Sequence, residues 1–158
     1  MVEIIVVIAI IAILMAVVGS KYASTRRSAA NERTSAHMEQ VLVAIGRARD
    51  ERQQPLSSIV GTDGHAACSG LQPVPEVSAL GGACRAAWDD AARSLAPWLG
   101  SEEAAREVLT DGSGRPIVVR FGERGCAGND ALVAPDPKEY GWGAEQRSSL
   151  VDTSRYSC

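Results

Sequence analysis

The sequence predicts an α+β fold, in which one long N-terminal α-helix packs on a small, disulfide-clamped head with a short antiparallel β-sheet. Residues 4–18 are all apolar, and residues 21–54 contain no proline and are rich in good helix formers. The four cysteines and the short β-branched runs all come after this segment. A length of 158 residues suits one compact unit with an attachment.

Composition excludes several classes of protein. Apolar residues make up 46% of the chain and charged residues 22%, which excludes a disordered chain. The net charge of −3 argues against a general nucleic-acid coat. Two histidines leave little room for histidine-based catalysis or for a metal site with several histidines.

The first element is the apolar run at residues 4–18, which Gly19 and Ser20 extend to 17 uncharged residues. This length is at the short end of the ~17–25 residues that span a bilayer. A segment that is apolar on every face suits lipid or the interior of a helix bundle. A signal peptide fits poorly, because Glu3 stands where a basic region is expected. We expect residues 1–20 to be a membrane-competent half-helix.

The second element continues the same helix over residues 21–54 in amphipathic form, and Pro55 supplies a stop. A helix of about fifty residues would be roughly 75–80 Å long, so its apolar half must project from a head formed by residues 55–158. The residues of the predicted buried stripe recur at spacings of three and four: Met38, Val41, Leu42, Ile45 and Ala48.

Glu3 is the most informative single residue. A carboxylate at mid-bilayer costs about 2.5 kcal/mol or more, so a charge in such a run is a functional candidate that needs a partner. The alternative is that Glu3 lies at the membrane interface, where its charge reaches the headgroups at little cost.

The N-terminal pattern resembles the helix of type IV pilins and of the related type II secretion pseudopilins. Glu3 matches the family glutamate, residues 4–18 match the unbroken apolar run, and Tyr22 matches a tyrosine just beyond it. The resemblance implies a pilin-like structural subunit that polymerises with identical subunits into a helical type IV pilus. It also implies that Glu3 pairs with the N-terminal amine of the neighbouring subunit. The alternative is a pseudopilin that builds a short periplasmic pseudopilus.

Three departures from the family pattern matter. Glu3 is third here and fifth in the family, which implies that two residues, the first of them N-methylated, and a leader precede this sequence. Ala12 replaces a glycine of the apolar run. Gly19 and Ser20 stand where many pilins have a proline, and we expect any loosening of the helix there, since glycine costs only about 1 kcal/mol.

The resemblance also implies a location and partners. The subunit would lie in the inner membrane before assembly, be processed by a prepilin peptidase, be handled by the pilus assembly machinery, and end in an extracellular pilus at the cell surface. Lys21, Arg26 and Arg27 after the apolar run argue for the opposite orientation by the positive-inside rule. DNA uptake stays open as a task of such a filament, although no basic surface stripe follows from the sequence.

Four cysteines, Cys68, Cys84, Cys126 and Cys158, follow the long helix. In a small extracytoplasmic domain they predict two disulfides, with three possible pairings. We expect sequential pairing, with each bond contributing about 3–4 kcal/mol. The competing zinc site is suggested by His65 near Cys68, but no C-x-x-C motif is present. The last pair also resembles the C-terminal disulfide loop of many pilins.

Within the head, prolines and glycines predict a loop region with little regular structure at residues 55–85. The remaining predicted elements are a helix at 86–95, a helix at 102–109 capped by Ser101, a turn at 111–114, a strand at 117–121, and weaker strands at 131–134 and 149–153.

Neither a metal site nor an active site is predicted, and no cofactor is expected. Calcium binding is common in major pseudopilins, but Asp111, Asp130 and Asp136 do not form a dense ligand array. Cys68 and His65 could be a nucleophile and a base, but they lack a third group that orients them. No P-loop, G-x-S-x-G or H-E-x-x-H motif occurs, so the sequence does not indicate an enzyme.

Overall fold

The computed structural model describes residues 2–121, 131–135 and 142–147. The described part of the chain is α+β and mostly helical, with a small antiparallel sheet, which confirms the predicted fold class at this level. Its elements in chain order are α1 (Val2–Arg52), α2 (Leu56–Val60), α3 (Gly64–Cys68), a 3₁₀ turn (Val77–Ala79), α4 (Gly82–Leu99), α5 (Glu102–Val108), β1 (Val118–Arg120), β2 (Ala131–Pro135) and β3 (Trp142–Arg147).

Helix α1 comprises 51 residues and is about 76 Å long at 1.5 Å per residue. Its backbone stays helical through Gly19 and Ser20. The helix ends at Arg52, shortly before Pro55, and the next residue, Gln53, has a φ of 52° and donates its backbone N–H to the carbonyl oxygen of Arg49 at 2.7 Å. A left-handed residue at this point ends the helix and turns the chain toward α2.

The predicted apolar stripe of α1 is buried in the core of the head. Its residues lie one helical turn apart, so they share the face that α4, α5 and β2 cover. Tertiary packing of one apolar face, rather than helix propensity, supplies most of the stability of a helix in a protein. Ala44, which was not predicted, is buried beside the five predicted residues of the stripe, which are each at most 8% exposed: Met38, Val41, Leu42, Ile45 and Ala48.

Helices α4 and α5 form the other side of this core. Helix α4 extends beyond the predicted residues 86–95 at both ends, with Pro97 in its last turn and Gly100 at φ 98° after it. Ser101 caps α5 as predicted, because its side chain accepts a hydrogen bond from the backbone N–H of Ala104 at 3.1 Å.

The prediction that residues 55–85 have little regular structure is wrong in part, since α2, α3 and the 3₁₀ turn lie there. Helix α2 is short, but it buries Leu56 and Ile59. Helix α3 starts at a cap, because the Asp63 carboxylate accepts from the N–H of Ala66 at 2.8 Å and from the N–H of Phe121 at 3.0 Å. One-turn helices held by capping and tertiary contacts leave little periodicity in a sequence.

The sheet has the order β1–β2–β3, and both pairings are antiparallel. Strands β1 and β2 lie at the predicted positions, with Val118 opposite Val133 in register. Strand β3 was not predicted, because its sequence has one aromatic and no β-branched residue. The predicted strand at residues 149–153 lies outside the described residues.

The disulfide between Cys68 and Cys84 is present, which confirms the first predicted pair. It joins the end of α3 to the first turn of α4, and both cysteines are buried. The indole N–H of Trp142 donates to the carbonyl oxygen of Cys68 at 3.3 Å, which ties β3 to the same point. Cys126 and Cys158, the second predicted pair, lie outside the described residues.

Candidate assembly surface

The first part of α1 exposes an uninterrupted apolar surface. We call residues 4–15 the stem, and every side chain in it is exposed. Its ten large apolar side chains range from 48% exposed at Ile11 to 72% exposed at Met15. Soluble monomers rarely leave a contiguous apolar surface of this kind in water, so the stem is a candidate contact surface.

In the described part of the chain, no helix is both long enough and apolar enough to cross a membrane. The segment predicted from the sequence at residues 1–20, at the short end of the required length, is therefore not shown by the described residues.

The predicted assembly residues lie on the same helix. The backbones of Glu3, Gly19 and Ser20 are helical, and the side chains of Glu3 and Ser20 lie outside the described part. Tyr22 is 64% exposed, and the guanidinium carbon of Arg26 lies 5.8 Å from the centre of its ring. The sequence did not predict this cation–π pair, although a spacing of four residues on a helix could have indicated it.

A second surface separates the stem from the head. We call residues 22–29 the neck, and its described side chains are all exposed, including Arg26 and Arg27. Burial begins at Ala30, which is half-buried. The neck is therefore a short, basic and solvent-exposed length of helix between the apolar stem and the folded head.

Two polar side chains of α1 join it to the turn that precedes β1. The hydroxyl oxygen of Thr34 accepts from the N–H of Gly112 at 3.0 Å. One turn further, His37 donates from Nδ1 to the carbonyl oxygen of Thr110 at 2.7 Å and is 9% exposed. We call this set of contacts the junction. Buried polar groups need such partners, so the contacts fix how α1 sits on the head.

The junction also contains a close backbone approach. A Cβ built on Gly112 would lie 2.6 Å from the Cα of Ala30, a distance that real Cβ atoms essentially never show. Glycine is therefore required for α1 to lie this close to the turn. Beside it, an exposed salt bridge joins Arg33 Nη2 to Glu107 Oε1 at 3.1 Å, which adds little at such exposure.

The other end of α1 is fixed as well. The indole N–H of Trp98 in α4 donates to Glu51 Oε2 at 2.8 Å, and the Arg52 guanidinium carbon lies 4.9 Å from the centre of the Trp98 ring. Together with the buried stripe and the junction, this contact holds α1 to the head along its last twenty residues. The direction of the stem is therefore set by contacts that lie entirely in the head.

The described residues that the sequence offers for metal binding or catalysis make structural contacts instead. Cys68 is in a disulfide, which removes the thiol a nucleophile would need, and His65 packs edge-on against Trp142 with ring centres 5.9 Å apart. Asp111 accepts backbone N–H groups in its own turn. The described residues contain no group of three His, Cys, Asp or Glu side chains that could hold a metal ion. Asp130 and Asp136 lie outside the described part.

Comparison with known proteins adds no relative. No family model matches the chain, and neither a curated protein nor a solved structure matches it. The stem, the neck and the junction are therefore the features from which a function can be inferred.

Proposed function

We propose that the chain is a structural subunit that polymerises through its stem into a helical filament of the type IV pilus kind on the bacterial surface. The observation that supports this is the exposed apolar stem on a helix that the head holds firmly. Burial of a Val, Leu, Ile or Met side chain contributes about 1.5–3 kcal/mol. Relative to exposure in water, burial of the ten large side chains of the stem between copies would supply on the order of 10 kcal/mol or more, which would keep an assembled subunit from leaving the filament.

The assembly step follows from the chemistry of the stem. A stem that leaves lipid must move directly into a bundle of other stems, because water is unfavourable for it. Glu3 then enters a dry interior and needs a cation, and by the resemblance this is the N-terminal amine of the neighbouring subunit. Contacts between two different surfaces, repeated without closing, generate a filament.

We propose for the subunit the route to the filament that the resemblance implies. The subunit is held in the inner membrane, cut by a prepilin peptidase and raised by the assembly machinery, and the head then faces outward. Tyr22 lies at the rim of the buried stem in this arrangement. A pseudopilin of a type II secretion system would use the same stem in a short periplasmic filament, which the location of the filament distinguishes.

A pair of aspartate substitutions tests the proposal. Ile8 lies in the stem and is 61% exposed, whereas Val43 lies on the same helix beside the head and is 40% exposed. We expect Ile8→Asp to abolish filaments and Val43→Asp to preserve them, because only the first places a charge in the bundle interior. The measurement is electron microscopy of sheared surface filaments, with mass spectrometry of their main component. Filaments formed normally by Ile8→Asp would refute the proposal.

A further inference from the structure

We propose that the neck binds the headgroups of anionic lipids through Tyr22, Arg26 and Arg27. This inference rests on the proposed function, because it concerns the stage at which the stem lies in lipid before assembly. It adds a lipid class, a set of contact residues and a dependence on salt that the proposed function does not contain.

The charge of the neck is the first observation. Among the side chains described between residues 4 and 30, Arg26 and Arg27 are the charged ones, and both are exposed. The nearest acid toward the head is Glu32, more than one helical turn beyond Arg27. A basic segment directly after an apolar one attracts the negative surface of a membrane.

The depth of these groups is the second observation. If residues up to Val18 lie in hydrocarbon, the Cα of Tyr22 lies about 6 Å beyond it and that of Arg26 about 12 Å. The headgroup region is roughly 5–8 Å thick on each side. Helical side chains point toward the N-terminus, and the Arg26 guanidinium lies over the Tyr22 ring, one turn back. The charge therefore lies at the level of the lipid phosphates.

The third observation is that lipid headgroups can reach the neck. The described neck side chains are exposed, and burial by the head starts only at Ala30. The neck spans about 12 Å of helix, which leaves room for headgroups between the membrane and the head. Tyr22 has the amphipathic ring that is enriched at membrane interfaces, and its 64% exposure leaves that ring available.

Flotation with vesicles tests the inference. The full chain, diluted from detergent, is mixed with vesicles of phosphatidylcholine alone or with about one third phosphatidylglycerol. We compare the wild type with Arg26→Gln/Arg27→Gln and with a control of equal charge, Arg47→Gln/Arg93→Gln, which removes two exposed arginines of the head region. At about fivefold per arginine, we expect the preference for anionic over neutral vesicles to be roughly 25-fold weaker in the neck variant than in the wild type.

The control and the neutral vesicles decide the result. We expect the control variant to bind like the wild type, and the preference for anionic vesicles to disappear at about 1 M salt, where the screening length is ~3 Å. Equal binding of the wild type to both vesicles would overturn the lipid inference and leave the filament proposal intact. An equal loss in the control variant would also overturn it, since any surface charge would then suffice.

Two further outcomes separate this inference from the proposed function. Salt-sensitive self-association without vesicles, lost in the neck variant, would show that the neck binds a second copy of the chain and would overturn the lipid inference. Failure of the wild type to bind either vesicle would overturn both the lipid inference and the membrane stage of the proposed function.

Discussion

The two halves of α1 belong to one helix and have opposite surroundings. In the stem every side chain is exposed, whereas the half beside the head alternates buried and exposed positions with the helical period. Both halves are built from good helix formers or apolar residues, so helix formation does not distinguish them. The pattern of apolar residues does, since a stripe predicts a partner on one side and a fully apolar run predicts partners all round.

The test with the largest expected effect on the unfolding free energy places the same charge in each half of α1. Val41 is fully buried, so Val41→Asp puts a carboxylate into the core and is expected to cost about 4 kcal/mol or more of unfolding free energy. Ile8→Asp is expected to change that free energy by less than about 0.5 kcal/mol, because the stem adds nothing to the core. Urea unfolding followed by tryptophan fluorescence measures both. A large loss for Ile8→Asp would show that the stem packs on the head.

Reduction of the head disulfide is expected to have the next largest effect. Cys68 and Cys84 are 16 residues apart, and a bond closing a loop of this size contributes about 3 kcal/mol. We expect Cys68→Ser/Cys84→Ser to lower the unfolding free energy by about that amount and to leave filament formation at low temperature intact. Thermal unfolding of wild type and variant gives the difference. An unchanged melting temperature would mean that the head does not depend on this bond.

The third test concerns the junction, where α1 contacts the turn that precedes β1. Gly112→Ala forces a methyl group against the backbone of Ala30, and overpacking of this kind costs about 1–3 kcal/mol. Gly70→Ala is the control, because a Cβ there meets nothing within 4 Å. Hydrogen exchange of the Gly112 amide, which Thr34 holds in the wild type, is expected to accelerate only in the first variant. Equal exchange rates of this amide in the two variants would show that the turn moves away from Ala30 at no cost in stability.

Much of the fold could be predicted from the sequence because the signals are local. The stripe from Met38 to Ala48, the cap at Ser101 and the strand around Val118 are each read from a few neighbouring residues. Strand β3 was missed because its composition is not typical of a strand and its pairing with β2 provides the stability.

The junction could not be predicted, because its contacts join residues far apart in the chain. Thr34 and Gly112 are separated by 78 residues, and His37 and Thr110 by 73. A threonine and a histidine next to an apolar stripe are equally compatible with exposure to solvent. Only the packing of the α5–β1 turn on α1 determines that the histidine becomes buried, that the threonine becomes half-buried, and that both are hydrogen-bonded.

Because α1 is long, a small rotation of the helix at the junction produces a large displacement of its N-terminal end. From Thr34 to Val2 the helix extends about 48 Å. A rotation of about 5° at the junction would move the N-terminal end of α1 by roughly 4 Å, which is close to half the 8–10 Å between the axes of packed helices. Small rearrangements around Gly112 would therefore be magnified at the far end of the helix. The accuracy with which one copy could meet the next therefore depends on how tightly the head holds α1 along its last twenty residues.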